Sequence, residues 1–495
     1  MIEMSLAEVA AAVGGRLHDC PDPQVRVAGP VEFDSRLVRQ GGLFVALPGE
    51  HTDGHTHAGA AVAAGAVAVL AARPVGVPAV AVTPTGAHAR RAMALTGDTD
   101  GSGAAVLTAL GRLARASVDA LTGLTVIGVT GSSGKTSTKD LIAAVLAPLG
   151  PVVAPPGSFN NELGHPWTVL RADITTAHLV LELSARAEGD VAALCQVAPP
   201  RVGVVLNVGT AHLGEFGSRE AIARAKGELV AALPSAADGG VAVLNVDDPL
   251  VAAMAQRTPA RVVGVGRSPR ADVRAEDVHL DDEARPSFTL VSQHGRLPVR
   301  LAVHGEHQVG NALAAAAVGL ECGASLGQVA AALGTATAAS ARRMEVRTRA
   351  DGVTVINDSY NANPDSMRAA LKALVSMSRG SRDQPPRRSW AVLGEMGELG
   401  ADAVTEHDAI GRFAVRLDVN KLVVVGAGAE AIHRGAYLEG SWGAESVLVA
   451  DVDAALALVA AQVGSDDVVL VKASRSAALW RVAEGLLADG AGAPR

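Results

Sequence analysis

Aromatic side chains make up only 2% of this 495-residue chain, so its cores must be built from Ala, Val and Leu. That profile suits helices packed closely on parallel sheets. Cysteine is almost as scarce. Cys20, Cys195 and Cys322 are odd in number and far apart, and they form neither a CxxC pair nor a disulfide framework. A reducing compartment is therefore expected. Positive charge is also lacking, and a formal net charge of −8 argues against a nucleic-acid binder. The pair Arg387-Arg388, after Pro385-Pro386, reads as part of an exposed loop. The apolar stretch 60–72 is rich in Ala and Gly and falls short of the ~20 residues a membrane span needs. Met1 to Ser5 carry an acid and no basic segment, so no signal peptide is expected. These absences together point to a cytoplasmic protein without membrane insertion.

What is present is a chain that is 49% hydrophobic and 19% charged, able to bury large cores. Its length suggests roughly three domains. Residues 1–103 hold short β-type runs at 43–47, 66–70 and 79–82, and end in the polar turn stretch 97–103. From 104 to 341, buried strands alternate with helices, with strands expected at 125–130, 178–183, 202–207, 241–244 and 261–265. A hairpin turning at His294-Gly295 and an Ala-rich helix over 308–321 follow. Residues 342–495 read as another doubly wound, Rossmann-like sheet, with strands at 353–357, 389–393, 421–425 and 467–471. Within this unit 379–389 is expected to be a surface loop, and Leu479–Leu487 an amphipathic packing helix. The expected class is therefore α/β in three domains: a smaller N-terminal α/β unit, a central P-loop ATPase-type parallel sheet and a C-terminal Rossmann-like domain.

The most specific signal is the run Thr125 to Thr130, then Gly131-Ser132-Ser133-Gly134-Lys135-Thr136, then a helix from Ser137 through Leu146. Glycines let backbone N–H groups converge on phosphate oxygens, and the helix N-terminus adds partial positive charge. Lys135 would supply a full charge to the β/γ-phosphates, and the Thr136 hydroxyl is of the type that ligates Mg2+. The strict Walker spacing wants glycine where Val129 stands, so the loop is a variant. The plainer reading, an ordinary Gly-Ser turn, does not account for Gly-Lys-Thr between a β-run and a helix.

Three further residues share an address beside this loop. Glu182 ends an apolar strand, where a solvated carboxylate would be the ordinary reading. His212 follows the strand 202–207, where a hydrogen-bonded loop histidine serves equally well. Lys226 lies on a helix and would by default be a surface lysine. An ATP-dependent enzyme needs metal ligands at this place, which raises all three.

The order Thr130-Gly-Ser-Ser-Gly-Lys-Thr136, Glu182, His212, Lys226-Gly-Glu, Gly305-Glu-His307-Gln-Val-Gly-Asn311 and Asn357-Asp-Ser-Tyr-Asn-Ala-Asn-Pro364 resembles the Mur ligases of peptidoglycan synthesis. The resemblance covers nearly the whole chain. Phe159-Asn160-Asn161-Glu162-Leu-Gly164, Tyr360-Asn361-Ala-Asn363-Pro364 and Leu393-Gly-Glu-Met-Gly-Glu-Leu-Gly400 are similar to the branch that adds D-alanyl-D-alanine. At the N-terminus, Asp34-Ser35-Arg36, Gly42 to Gly49 and Asp53-Gly-His55 resemble the family's UDP-binding domain. The Asp-Asn-Pro-Arg run of the diaminopimelate-adding branch is missing.

The resemblance implies an ATP-dependent ligase that adds D-Ala-D-Ala to a UDP-linked muramoyl tripeptide through an acyl phosphate. It implies an ATP site over Thr130, Gly131, Ser132, Ser133, Gly134, Lys135, Thr136 and Ser137, joined by Asn311, Arg343 and Asp358. Two Mg2+ ions would be held by Thr136 and Glu182 and by His212 and a carbamylated Lys226. Lys135, Glu182, His212 and Lys226 would carry the chemistry. Ser35, Arg36, Asn160, Asn161, Ser184, Tyr360, Asn361, Asn363, Lys472 and Arg475 match substrate positions. Ala473 stands where the family's late motif has glycine, and His165 and Trp167 depart from the pattern around Asn160. No nucleic-acid partner and a monomeric state are expected. His51, His55 and His57 fit no standard zinc spacing. The rivals are a folate polyglutamate synthase, which would lack the N-terminal domain and Tyr360 to Pro364, and a catalytically idle ATP-binding scaffold.

Overall fold

The structure, a computed structural model, describes residues 1–49, 52–84, 95, 98–210, 213–380, 385–441 and 443–489. His51, His212 and part of the expected loop 379–389 lie outside the described residues. The first hundred residues hold strands β1 (Met4–Ser5), β2 (Arg16–His18), β3 (Arg26–Val27), β4 (Val31–Glu32), β5 (Leu43–Val45), β6 (Ala68–Ala71) and β7 (Ala79–Ala81). β1 and β3 form a small ladder, and the others form a sheet in the order β2-β7-β6-β5-β4, with only β2 antiparallel.

The middle of the chain contributes β8 (Thr125–Thr130), β9 (Val152–Val153), β10 (His178–Glu182), β11 (Val202–Val205), β12 (Val241–Asn245), β13 (Arg261–Gly266), β14 (Val273–Leu280), β15 (Pro286–Ser292) and β16 (Gly295–Arg300). They form one nine-stranded sheet, β16-β15-β14-β13-β12-β11-β8-β10-β9. The strands from β14 to β9 in that order are parallel, and the β15–β16 hairpin is added antiparallel at one edge. β8, β10, β11 and β12 are near-continuous apolar runs, as burial on both faces requires. One face is covered by the helices Lys135–Leu146 and Gln308–Glu321, which pack on each other. Small side chains, Ala312 and Ala314 to Ala317, allow that close approach.

The last third holds β17 (Glu345–Thr348), β18 (Thr354–Asn357), β19 (Ser389–Leu393), β20 (Lys421–Val425), β21 (Ser446–Val449) and β22 (Val468–Lys472). Their order is β17-β18-β22-β19-β20-β21, parallel except for the β17 edge. β1 to β4, β9, β14, β17 and β21 were not legible as strands. β14 carries alternating charges and an irregularity at Glu276/His279, and the others are short pieces of two to four residues. The helix after the phosphate loop begins at Lys135, two residues before the position read from the sequence.

In the central sheet the chain leaves β8, crosses to the edge, and returns on both sides of it as β10 and β11. That is a topological switch point, and a crevice opens beyond the carboxyl ends of these strands. The carboxyl ends of β18 and β22 face the same crevice, through Asp358 and Lys472.

Candidate active site

The loop after β8 turns through Gly134 at φ +81°, a conformation that favours glycine. A Cβ there would lie 2.6 Å from Asn311 Oδ1. No side chain caps the following helix, so its first-turn N–H groups are available to an anion. Asn207, just past β11, clamps the loop. Its Oδ1 accepts the Ser132 and Ser133 N–H groups at 2.9 Å each, and its Nδ2 donates to the Ser133 carbonyl at 3.2 Å. Lys135 Nζ folds back onto the Gly131 carbonyl at 2.7 Å. Burial pushes this ammonium below the usual lysine range, with Glu182 opposing the shift and Arg343 adding to it.

Three segments meet at Thr136. Its hydroxyl donates to Glu182 Oε2 at 2.9 Å and lies 2.6 Å from Ser158 Oγ. Arg343 Nη2 donates to Thr136 Oγ1 at 3.3 Å and to Ser158 Oγ at 3.0 Å. Glu182 is only 1% exposed, so it is not a solvated strand end. Its Oε1 accepts Asn160 Nδ2 at 2.7 Å, and the Ser184 hydroxyl donates to the Asn160 carbonyl at 2.9 Å.

From the C-terminal sheet, the Arg343 guanidinium lies 4.2 Å over the Tyr360 ring, with Arg475 at 5.9 Å. Arg342 and Met344, on either side of Arg343, have φ of +60° and +51°, a strained backbone held by neighbours. One of these is Asp358, whose Oδ1 accepts the Met344 N–H at 3.0 Å. Its Oδ2 accepts Lys472 Nζ at 2.6 Å, and Lys472 also donates to the Asn361 carbonyl at 2.9 Å. Asp358 and Lys472 are thus each other's partners, bracing the segment that carries Tyr360 and Asn361. Asn363 caps the helix Pro364–Ser378 and reaches across to the Ser132 carbonyl at 3.3 Å.

These groups surround a cleft of about 460 Å³. Ser132, Ser133, Gly134, Lys135, Thr136, Ser137, Asn160, Glu182, Ser184, Asn311, Arg343, Asp358, Tyr360, Asn361, Asn363, Lys472 and Arg475 all line it. A smaller pocket of about 150 Å³, bounded by Asn245, Asp247 and Arg267, shares Asn207, His307 and Asn311 with it.

Other expected residues stand back from the cleft. Thr130 is buried and donates to the Leu183 carbonyl at 3.0 Å, and Gly131 contributes only its carbonyl to Lys135. Asn161 Oδ1 accepts the Gly164 N–H at 2.9 Å. Arg36, beside Ser35, pairs with Asp34 at 2.7 Å and has an 86% exposed side chain. Lys226 is 4% exposed, so it is not a surface lysine. Burial, reinforced by the charge of Lys135, pushes its amine well below the usual lysine range. His55 Nδ1 bonds Asp53 at 2.6 Å and its Nε2 accepts the Ala72 N–H, so it is a structural histidine.

Sequence reasoning missed Ser158, Asn207 as a clamp, and Arg186, which pairs with Glu398 at 2.6 Å across the cleft. Only Asn207 had a legible signal, an amide directly after a buried strand.

Residues 129–319 match the family pattern described as Mur ligase middle domain. Residues 342–475 match the Mur ligase glutamate ligase domain, and 30–115 the Mur ligase family catalytic domain. The sequence is 60% identical to the UDP-N-acetylmuramoyl-tripeptide–D-alanyl-D-alanine ligase of Mycobacterium tuberculosis, over 99% of this chain and 98% of that one. The chain belongs to the Mur ligase family. In three dimensions this Mur ligase is similar to MurF from Acinetobacter baumannii, with a TM-score of 0.82 and 30% identity over 98% of this chain and 99% of that chain. It is also similar to the MurF ligase from Thermotoga maritima in complex with ADP, with a TM-score of 0.74 and 28% identity over 94% and 98% of the two chains.

Proposed function

We infer that this protein is an ATP-dependent ligase that joins D-alanyl-D-alanine to UDP-N-acetylmuramoyl-tripeptide, a step of peptidoglycan synthesis. The observation that carries the reading is the meeting of Lys135 and Thr136 with Arg343 and Tyr360 in one cleft between two sheets. In the proposed reaction a terminal carboxylate oxygen of the tripeptide attacks the γ-phosphorus of ATP, and ADP leaves. The D-Ala-D-Ala amine then attacks the acyl carbon, and phosphate departs with the bonding electrons.

Lys135, the first-turn amides of its helix and Arg343 would hold the phosphates and spread the charge that develops on them. Asn311 borders both the loop and the smaller pocket, which suits it to the nucleoside. Asp358 and Lys472 would act by bracing Tyr360 and Asn361. Asn160, Ser184, Asn363 and Arg475 would line the path of the peptide, and Ser35 and Arg36 would meet the UDP moiety. The proposed domains are 1–103, 104–341 and 342–495.

Mg2+ belongs to this reading. Thr136 Oγ1 and the buried Glu182 carboxylate form the hard oxygen pair that Mg2+ takes, and would hold one ion. Among the described residues no three His, Cys, Asp or Glu side chains gather as a metal site. By the family resemblance, the second ion would rest on His212 and Lys226. A lysine buried with a depressed pKa presents the neutral amine that adds CO2, which supports a carbamate there. When bound, Mg2+ supplies charge neutralisation at the phosphate oxygens.

Three free cysteines agree with a reducing cytoplasm, and among the described residues no helix is long and apolar enough to cross a membrane. A monomer belongs to this reading. ADP release is expected only when both UDP-N-acetylmuramoyl-tripeptide and D-Ala-D-Ala are present. Release with a folate and glutamate instead would overturn the reading, and no release under any of these conditions would favour the catalytically idle ATP-binding scaffold. Running the assay with diaminopimelate- and lysine-ended tripeptides also fixes the donor.

A further inference from the structure

Lys139 is a lysine only 2% exposed, on the helix that begins with the phosphate loop but one turn beyond it and outside the cleft. An ammonium so buried is costly unless all its protons are bonded. Here it pairs with Asp140 Oδ1 at 2.5 Å and donates to the Pro155 carbonyl at 2.7 Å and to Ser340 Oγ at 3.3 Å. Asp140 Oδ2 in turn accepts the Ser340 N–H at 3.1 Å. The pair thus grips two segments distant in sequence. Three residues after Pro155 comes Ser158, and three residues after Ser340 comes Arg343. Ser158 and Arg343 join Glu182 in converging on Thr136, one turn back on the same helix.

We propose that Lys139 and Asp140 are positioning residues that deliver Arg343 to the phosphate site. The backbone around Arg343 is strained at Arg342 and Met344, so it needs fixed anchors on both sides. Asp358 is the anchor downstream, through the Met344 N–H. The Lys139–Asp140 grip on Ser340 is the anchor upstream. Stability alone is a poor reason for such a pair, because well-packed apolar residues of similar volume are often as stable.

This proposal rests on the reading that Arg343 acts on the phosphates, and the test separates the two. Turnover and the KM for ATP are measured for Lys139→Met, Asp140→Asn and Arg343→Ala, singly and combined with Arg343→Ala, alongside melting temperatures. Asp140→Asn keeps the side-chain volume and decides the matter if Lys139→Met does not fold. Each anchor variant is expected to lower kcat about tenfold or more, with the KM for ATP within about threefold, the cost of small misplacement away from the chemistry. In the Arg343→Ala background the same changes should cost less than about twofold, because the residue they position is gone. If Arg343→Ala has no measurable turnover, Arg343→Lys takes its place. Losses that multiply in the double variants, or full kcat in folded Asp140→Asn, overturn the proposal. Full kcat in Arg343→Ala overturns the underlying reading of Arg343 and the proposal with it.

Discussion

At the scale of single residues, the site depends on charged groups placed where water is scarce. Lys226 shows this most clearly, since burial and the nearby Lys135 both disfavour its ammonium form. A neutral amine at this address can take up CO2 and become an anion. Lys226→Ala is expected to lower turnover by about 100-fold or more, with partial recovery when a short carboxylate such as formate is added. Full activity without rescue would remove the carbamate. His165 gives a separate, pH-dependent signature. Burial pushes it from 6.5 to about 4, against the opposing effect of the Glu182 and Leu194 backbone groups beside its ring. Between those values the unfolded chain binds a proton that the folded protein refuses. Its contribution is therefore complete above pH 6.5 and lost as the pH falls toward 4. The expected loss is on the order of 3 kcal/mol. Denaturant titrations of His165→Gln should show a flatter dependence across that window, whatever the offset at neutral pH. An unchanged slope would assign the acid sensitivity to other groups.

At the scale of elements, the two halves of the cleft touch away from the linker through two glycines. Gly214, in the helix Leu213–Phe216, meets Gly400, which has φ of +59°. A Cβ on Gly400 would lie 2.7 Å from Gly214 Cα, and one on Gly214 would lie 2.6 Å from the Gly400 nitrogen. The Arg186–Glu398 pair at 2.6 Å lies beside this contact. Together they give a physical reason for the Leu393 to Gly400 motif, whose partner across the cleft the sequence did not show. Gly214→Ala adds bulk without the positive-φ strain that Gly400→Ala also suffers. Both are expected to lower kcat about tenfold while leaving ADP affinity within about threefold. Calorimetric titration of ADP beside steady-state rates reads this directly, and wild-type turnover in Gly214→Ala would dismiss the contact as incidental.

At the scale of the whole molecule, the three sheets do not correspond to three independent cores. One continuous apolar cluster runs from Leu6, Val9 and Leu70 through Leu110 and Leu113 of the helix Ser102–Ala120 to Leu179 and Leu229. The N-terminal and central units therefore share this helix, although the polar turn before it reads as a boundary. Phe33, Phe159 and Trp167 add an aromatic contact between them, with centroids 4.7 to 6.4 Å apart. The C-terminal sheet has its own clusters on its two faces. Calorimetry should accordingly resolve two transitions, with residues before and after 103 melting together. Leu110→Ala, at a fully buried position, should cost about 2–5 kcal/mol in the transition of the shared core alone. A separate melting of the N-terminal unit would contradict this.

Sequence alone determined the features that depend on local pattern. The central strands are apolar on both faces and so stand out, and Gly131 to Thr136 between strand and helix announces a phosphate loop. The family followed from motifs that each keep their own short spacing. Only the tertiary structure decided what depends on long-range placement: that Glu182 and Lys226 are buried, that Asp358 and Lys472 pair, and that Ser158 and Arg343 converge on Thr136. Those outcomes rest on contacts between segments up to 207 residues apart. Burial, and the pKa shifts that follow from it, belong to the assembled surroundings of a side chain. The loop lysine was visible in the sequence, whereas its anchoring had to await the fold.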